Sequence, residues 1–181
     1  MIAIIDYGAG NLFSVKNALD FLEIESMVTR DPEAIRRADK MILPGVGAFP
    51  DAMRMLTEQG LDTVIREEAE KKPLLGICLG MQMLFEKSSE GGDVEGLRIL
   101  TGTVDRFSRL KVPHMGWNQL HLQNSGSPFW KGIPDKSFVY FCHSFYVRPG
   151  EKKIVAATTD YGIQFASAVQ KDNIFAVQFH P

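Results

Sequence analysis

Gly76-Ile77-Cys78-Leu79-Gly80 has the form G-x-C-x-G, a cysteine counterpart of the nucleophile elbow. Pro73-Leu74-Leu75-Gly76-Ile77 ahead of the cysteine reads as a short strand, and Leu79 to Phe85 behind it reads as helix. The flanking glycines leave room for a sharp turn, and a helix N-terminus behind Cys78 is expected to favour the thiolate. A nucleophilic thiol needs a base. Gln178-Phe179-His180-Pro181 supplies one, because His180 sits just past the apolar run Ile174-Phe175-Ala176-Val177. Cys78 and His180 are therefore both expected at strand ends, where open α/β sheets place their sites.

Attack of a thiolate on a carbonyl creates an oxyanion, which needs preorganised N–H donors. The backbone N–H of Leu79, next after the nucleophile, is one. The second is expected from Pro44-Gly45-Val46-Gly47, which ends a strand and whose glycines permit positive φ or a peptide flip. Asp6-Tyr7-Gly8-Ala9-Gly10-Asn11 looks superficially like a dinucleotide loop, but the third glycine of G-x-G-x-x-G would fall at Phe13. A tight turn beside the site edge is the expectation there. Val112-Pro113-His114-Met115-Gly116-Trp117-Asn118 reads as a loop whose Met and Trp suit either a partner surface and pocket wall or a buried aromatic plug. Cys142 and His143 are neighbours on a probable strand, so they point to opposite faces and do not share a metal. No metal site and no cofactor are expected.

The elements that must position these residues alternate in the first half. Ile2 to Ile5, Glu25 to Thr29 and Lys40 to Leu43 read as strands. Asn11 precedes a helix with Leu12, Val15, Ala18, Leu19 and Leu22 on one face; Pro32 to Arg37, Phe49 to Leu56 and Leu61 to Ala69 are further helices. From Leu97 onward strands dominate: Ile99 to Phe107, Asn118 to Leu122, Phe138 to Val147, Val155 to Thr159, Phe165 to Gln170 and Ile174 to Phe179. Turn signals such as Asn124-Ser125-Gly126-Ser127-Pro128 separate them. Glu90-Gly91-Gly92-Asp93 reads as a surface loop with no assigned role. The fold class is α/β, a mainly parallel sheet with helices on both faces plus an antiparallel extension.

With 181 residues, 45% of them hydrophobic, the chain suits a single domain over residues 1–181 with a substantial core. A formal charge of −2 gives no electrostatic reason for nucleic acid or an anionic membrane as partner. Two cysteines make no disulfide framework, the start Met1-Ile2-Ala3-Ile4-Ile5-Asp6 lacks a signal-peptide pattern, and no apolar run reaches membrane-span length. A soluble, cytoplasmic protein is expected.

Taken together, Asp6 to Asn11, Pro44 to Phe49, Gly76 to Gln82, Pro113 to Asn118 and Gln178 to Pro181 resemble the class I (triad-type) glutamine amidotransferases along essentially the whole chain. The P-G-V-G-x-F and P-H-M-G-W-N segments are most similar to the branch whose ammonia goes to a cyclase subunit of histidine biosynthesis, a (β/α)8 barrel. The resemblance implies that Cys78 attacks the side-chain amide of glutamine, with His180 as base and then acid. Leu79 and Gly47 would form the oxyanion hole. Gly45, Val46, Gln82, His143 and Ser144 would hold the substrate, and Asn11, Trp117 and Tyr140 would face the partner.

In this family the terminal motif continues from His-Pro to a Glu, the third member of the triad, and then a helix. Here the sequence stops at Pro181, so a domain truncated at its C-terminus is expected. Two other readings are the glutaminase of another amidotransferase, such as pyridoxal phosphate synthase, and a non-catalytic scaffold subunit. The P-H-M-G-W-N segment argues against the first.

Overall fold

The computed structural model describes residues 1–123 and 126–181. Its first half runs β1 (Ile2–Ile5), α1 (Leu12–Phe21), β2 (Ser26–Thr29), α2 (Pro32–Arg37), β3 (Lys40–Gly45), α3 (Phe49–Glu58), α4 (Leu61–Ala69), β4 (Leu74–Cys78) and α5 (Leu79–Met83). The helix starts have local causes. Asn11 accepts from the Ser14 N–H at the head of α1, and Asp31 accepts from Glu33 N–H ahead of Pro32 at the head of α2. The second half contains β5 (Lys87–Ser88), β6 (Val94–Glu95), β7 (Gly102–Arg106), β8 (His114–Gln119), β9 (His121–Leu122), β10 (Phe138–His143), β11 (Phe145–Pro149), β12 (Val155–Asp160), β13 (Gln164–Lys171) and β14 (Ile174–Val177).

The main sheet has the order β2-β1-β3-β4-β14-β13-β12-β9. Pairing is parallel from β2 through β14 and antiparallel from β14 to β9. A parallel core with an antiparallel extension is what the sequence pattern predicts. Strand residues alternate between two apolar cores. Ala3, Ile5, Met41, Leu43, Leu74 and Ala176 face a core closed by α3, α4 and α5, while Ile4, Ile42, Ile77 and Val177 face the side covered by Val15 and Leu19 of α1. The strands at the centre are thus buried on both faces, which accounts for their continuous apolar runs. Among the described residues no helix is long and apolar enough to cross a membrane.

Several expectations are corrected. The segment Val112 to Asn118 is not a loop: His114–Gln119 forms β8, paired antiparallel with β10 in a separate two-stranded ribbon. The single strand expected over Phe138 to Val147 is two, because the chain leaves the ribbon at Ser144 and enters a second sheet, β11-β7-β5-β6. Strand β3 extends through Pro44 and Gly45 rather than ending before them. The Asn124-Ser125 part of the expected turn lies outside the described residues.

Candidate active site

Cys78 is the last residue of β4 and the residue before α5, with φ 57° and ψ −114°. This is backbone space that L-residues avoid, and the strain falls on the cysteine itself. The neighbouring glycines leave the room that the sharp turn needs. They allow α5 to press on the strands beneath it: a Cβ on Gly45 would lie 2.6 Å from the Gly80 nitrogen, one on Gly76 would lie 2.9 Å from the Gly80 oxygen, and one on Gly80 would overlap the Leu43 carbonyl oxygen. The close approach of backbone at the elbow, not a positive φ, requires them. Gly47, by contrast, has φ +96° and open space around its Cα.

The helix N-terminus does favour the Cys78 thiolate through the Leu79 N–H, but burial outweighs it. Burial pushes the thiol up to about 11; the Leu79 N–H and the Gln178 amide pull the other way without prevailing. Helix α5 is five residues long, too short to present a large dipole, so desolvation wins. The resting group is a thiol and needs a base.

Strand register brings the base close. Val177 of β14 pairs with Ile77 of β4, so Gln178 emerges beside Cys78 and His180 follows. Gln178 Nε2 donates to Cys78 Sγ at 3.7 Å. His180 is tied by its backbone N–H to the Tyr140 carbonyl at 3.4 Å. Its Nδ1 faces the Pro181 main-chain oxygen at 2.9 Å. An oxygen there can only accept, so Nδ1 carries a proton, and in that tautomer Nε2 keeps the lone pair a general base needs. That Nε2 is buried and has no hydrogen-bond partner among the described residues, so the thiol and imidazole share a site without yet being bonded.

Both open on a cavity of about 700 Å³, also lined by Asn11, Val46, Gly47, Leu79, Gln82, Trp117, Tyr140, His143 and Ser144. Gly45 is the exception among the expected residues: it is buried under α5 and does not line the cavity. Gln82 is buried, and both amide hydrogens are engaged, one by the Phe145 carbonyl at 3.0 Å and one by Gln178 Oε1 at 2.9 Å. His143 is buried too. Its Nδ1 meets the Phe145 carbonyl at 2.8 Å and its Nε2 meets His114 Nδ1 at 2.9 Å, leaving its ring nitrogens no free valence for a ligand.

Three residues of the site are assigned no role from the sequence, although Gln178 and Tyr7 lie within its motifs. Glu90 lines the cavity, and its Oε2 accepts from the Phe49 N–H at 2.9 Å, capping α3. The loop assigned no role therefore delivers the one side-chain carboxylate of the lining among the described residues. Gln178 touches the sulfur. Tyr7 places a buried hydroxyl with no partner close enough to Cys78 for a thiolate charge, added to burial, to raise its pKa. Among the described residues no cluster of His, Cys, Asp and Glu could hold a metal ion.

A thiol on a strained elbow, a lone-pair imidazole beside it and candidate oxyanion donors suit acyl transfer from an amide. Solved structures share this fold. One described as a glutamine amidotransferase superposes with a TM-score of 0.79 at 20% identity, covering 99% of this chain and 89% of that one. PurLQS from Thermotoga maritima gives 0.76 at 19%, covering 99% and 86%. Closer in sequence are proteins named imidazole glycerol phosphate synthase subunit HisH. That of Moorella thermoacetica is 54% identical over 99% of this chain and 86% of its own length; that of Acinetobacter baylyi is 49% identical over 99% and 89%. The family model "Glutamine amidotransferase class-I" matches residues 3–181. With that match and half-identical relatives along almost its whole length, the chain belongs to the class-I glutamine amidotransferases.

Proposed function

We propose that this chain is the glutaminase subunit of an imidazole glycerol phosphate synthase, hydrolysing glutamine and passing ammonia to a cyclase subunit. The observation that carries the reading is the elbow cysteine opening into the same cavity as the unpartnered His180 Nε2. The names of relatives about half identical support the choice of synthase.

Cys78 gives its proton to His180 Nε2 and its sulfur attacks the side-chain carbonyl carbon of glutamine. The Leu79 N–H and the Gly47 N–H receive the oxyanion, the latter after its peptide turns, which glycine's backbone freedom allows. The tetrahedral adduct collapses, the imidazolium proton goes to the leaving amine, and ammonia and a γ-glutamyl thioester result. Water, deprotonated by His180, then releases glutamate and regenerates the thiol. Glu90 is placed to receive the substrate's α-ammonium through the oxygen not used by Phe49. Val46 and Ser144 border the same space.

The partner face is the outer side of the β8–β10 ribbon. Met115, Trp117 and Phe138 are 60%, 70% and 61% exposed, and Trp117 meets Tyr140 edge-on at 5.7 Å between ring centres. Such a patch suits a protein surface. Asn11, at the head of α1, borders the same cavity mouth. Under this reading the reaction is a cytoplasmic one.

Glutamate release should be measured for the chain alone, with a cyclase subunit and its ligand, and for a form carrying the expected Glu after Pro181. Partner-dependent hydrolysis that vanishes in Cys78→Ala, with ammonia-driven cyclase activity intact, is expected. No hydrolysis by any form in any combination would leave the scaffold reading in its place.

A further inference from the structure

The carbonyl of Phe145 accepts two hydrogen bonds, and following both outward yields a chain of fixed donor directions. On one side Gln82 Nε2 donates to it at 3.0 Å, which forces the amide end of Gln82 toward Phe145. The second hydrogen of that amide then goes to Gln178 Oε1 at 2.9 Å. With its oxygen occupied, Gln178 has only its NH₂ end to present to Cys78 Sγ, 3.7 Å away.

On the other side His143 Nδ1 faces the same carbonyl at 2.8 Å and must carry a proton. Burial keeps this ring neutral, so its Nε2 is an acceptor and His114 Nδ1, 2.9 Å away, is the donor. His114 is neutral for the same reason, which leaves its Nε2 to accept from Asn118 Nδ2 at 3.3 Å. Asn118 cannot be reversed, because the same nitrogen also donates to the Asp160 carbonyl and its Oδ1 accepts from the Gln119 N–H. The His114 ring is further clamped between Phe141 and Tyr161, with centroids at 4.8 and 4.0 Å.

We propose that Gln178 is the side chain that donates a hydrogen bond to the Cys78 sulfur during the reaction, beside the backbone N–H of Leu79, and that Gln82 and the His143–His114 pair, meeting at the Phe145 carbonyl, are positioning residues that fix which end of Gln178 faces it. The donor steadies the thiolate as it forms and again as it leaves from the tetrahedral adduct. A carboxamide pointing its oxygen at the sulfur would do the opposite. This rests on Cys78 being the nucleophile.

The test is the pH dependence of Cys78 alkylation by iodoacetamide, read by peptide mass so that Cys142 is counted separately. Gln178→Met should slow Cys78 alkylation about tenfold at any pH below the midpoint and move the midpoint upward by about one pH unit. Gln178→Glu should move it further. His143→Phe should shift the profile in the same direction by less, and His143→Asn, whose amide nitrogen can reach the place of Nδ1, should restore it. Nitrogen-15 spectra of the unmodified protein at neutral pH need no variant to fold: both His143 and His114 should be Nδ1–H tautomers. A Gln178→Met profile that overlays the parent's, or a His143 protonated on Nε2, would overturn the proposal. A Cys78 that resists alkylation at every pH while Cys142 reacts would instead remove the nucleophile reading beneath it.

Discussion

Cys78 and Gln178 leave neighbouring parallel strands at the same level, so a residue that ends β4 and the residue that follows β14 face each other across 3.7 Å. The proximity is a property of the register: Val177 opposite Ile77 brings Gln178 level with Cys78. A site assembled this way depends on close packing of the elbow, and it holds the cysteine in a conformation that costs free energy.

That strain is measurable. At φ 57° and ψ −114°, Cys78 sits where glycine is at home and other residues lose on the order of 1–3 kcal/mol. Cys78→Gly should abolish glutamine hydrolysis yet be about 1 kcal/mol more stable to urea than Cys78→Ala, which keeps the strain without the thiol. Equal stabilities for the two variants would show that the elbow is relaxed.

Gly80 and Gly47 should fail in different ways. A methyl group at Gly80 would overlap the Leu43 carbonyl, inside the contact between α5 and β3, and neither backbone can retreat without moving the elbow. Gly80→Ala should cost about 3 kcal/mol or more in a denaturant titration. At Gly47 nothing stands within 4 Å and the penalty comes from φ +96° alone. Gly47→Ala should cost about 1 kcal/mol and chiefly lower kcat, through the oxyanion hole.

Much of this is legible in the sequence, and the rest is hidden for identifiable reasons. The elbow announces itself because strand, cysteine and glycines are contiguous, and the parallel core because buried strands read as apolar runs. β8 was missed because Pro113 and Gly116 signal a loop, although His114 and Asn118 alternate with Met115 and Trp117 at strand spacing. Only pairing with β10 makes that alternation a strand. Ser144 interrupts what reads as one unbroken strand, and the change of sheet there is a tertiary event. Glu90 reaches back 41 residues to Phe49, a connection no local pattern encodes. The raised pKa of the Cys78 thiol is not legible in the sequence, because a helix N-terminus can be read locally and burial cannot.

Glu90 should separate binding from chemistry. Among the described residues its carboxylate is the only side-chain carboxylate lining the cavity, and so the side-chain anion available to a glutamine α-ammonium. Glu90→Gln keeps an oxygen for the Phe49 N–H but removes the charge. We expect KM for glutamine to rise about 10- to 100-fold, with kcat changed less, as loss of a charged hydrogen bond used equally in ground and transition states requires. A fall in kcat at unchanged KM would assign Glu90 to the chemistry instead.

The ribbon should govern association. Trp117 and Tyr140 form an exposed aromatic pair, the residue type that dominates interface energetics. Trp117→Ala should weaken binding to a cyclase subunit by about 2 kcal/mol, roughly thirtyfold, in calorimetric titration while leaving the melting temperature of the free chain unchanged. Unchanged affinity would move the partner face away from β8 and β10.

Acid should expose the buried imidazoles. His143 is held down to about 4 by burial, against 6.5 for the free group, and His114 is lowered by the same cause. Below pH 6.5 the unfolded chain takes up protons that the folded chain refuses, so stability rises with pH across this window and falls on acidification from about 6.5 toward 4. For His143 the full effect is of order 3 kcal/mol, complete only below its folded value. Carboxylates contribute little between pH 6.5 and 5, which isolates the histidines there. Urea midpoints across that interval should fall for the parent chain and stay nearly level for a His143→Asn, His114→Asn double variant. Parallel slopes for the two proteins would mean that the pair is hydrated or already charged in the fold, and that the donor directions meeting at the Phe145 carbonyl are not fixed by neutral rings.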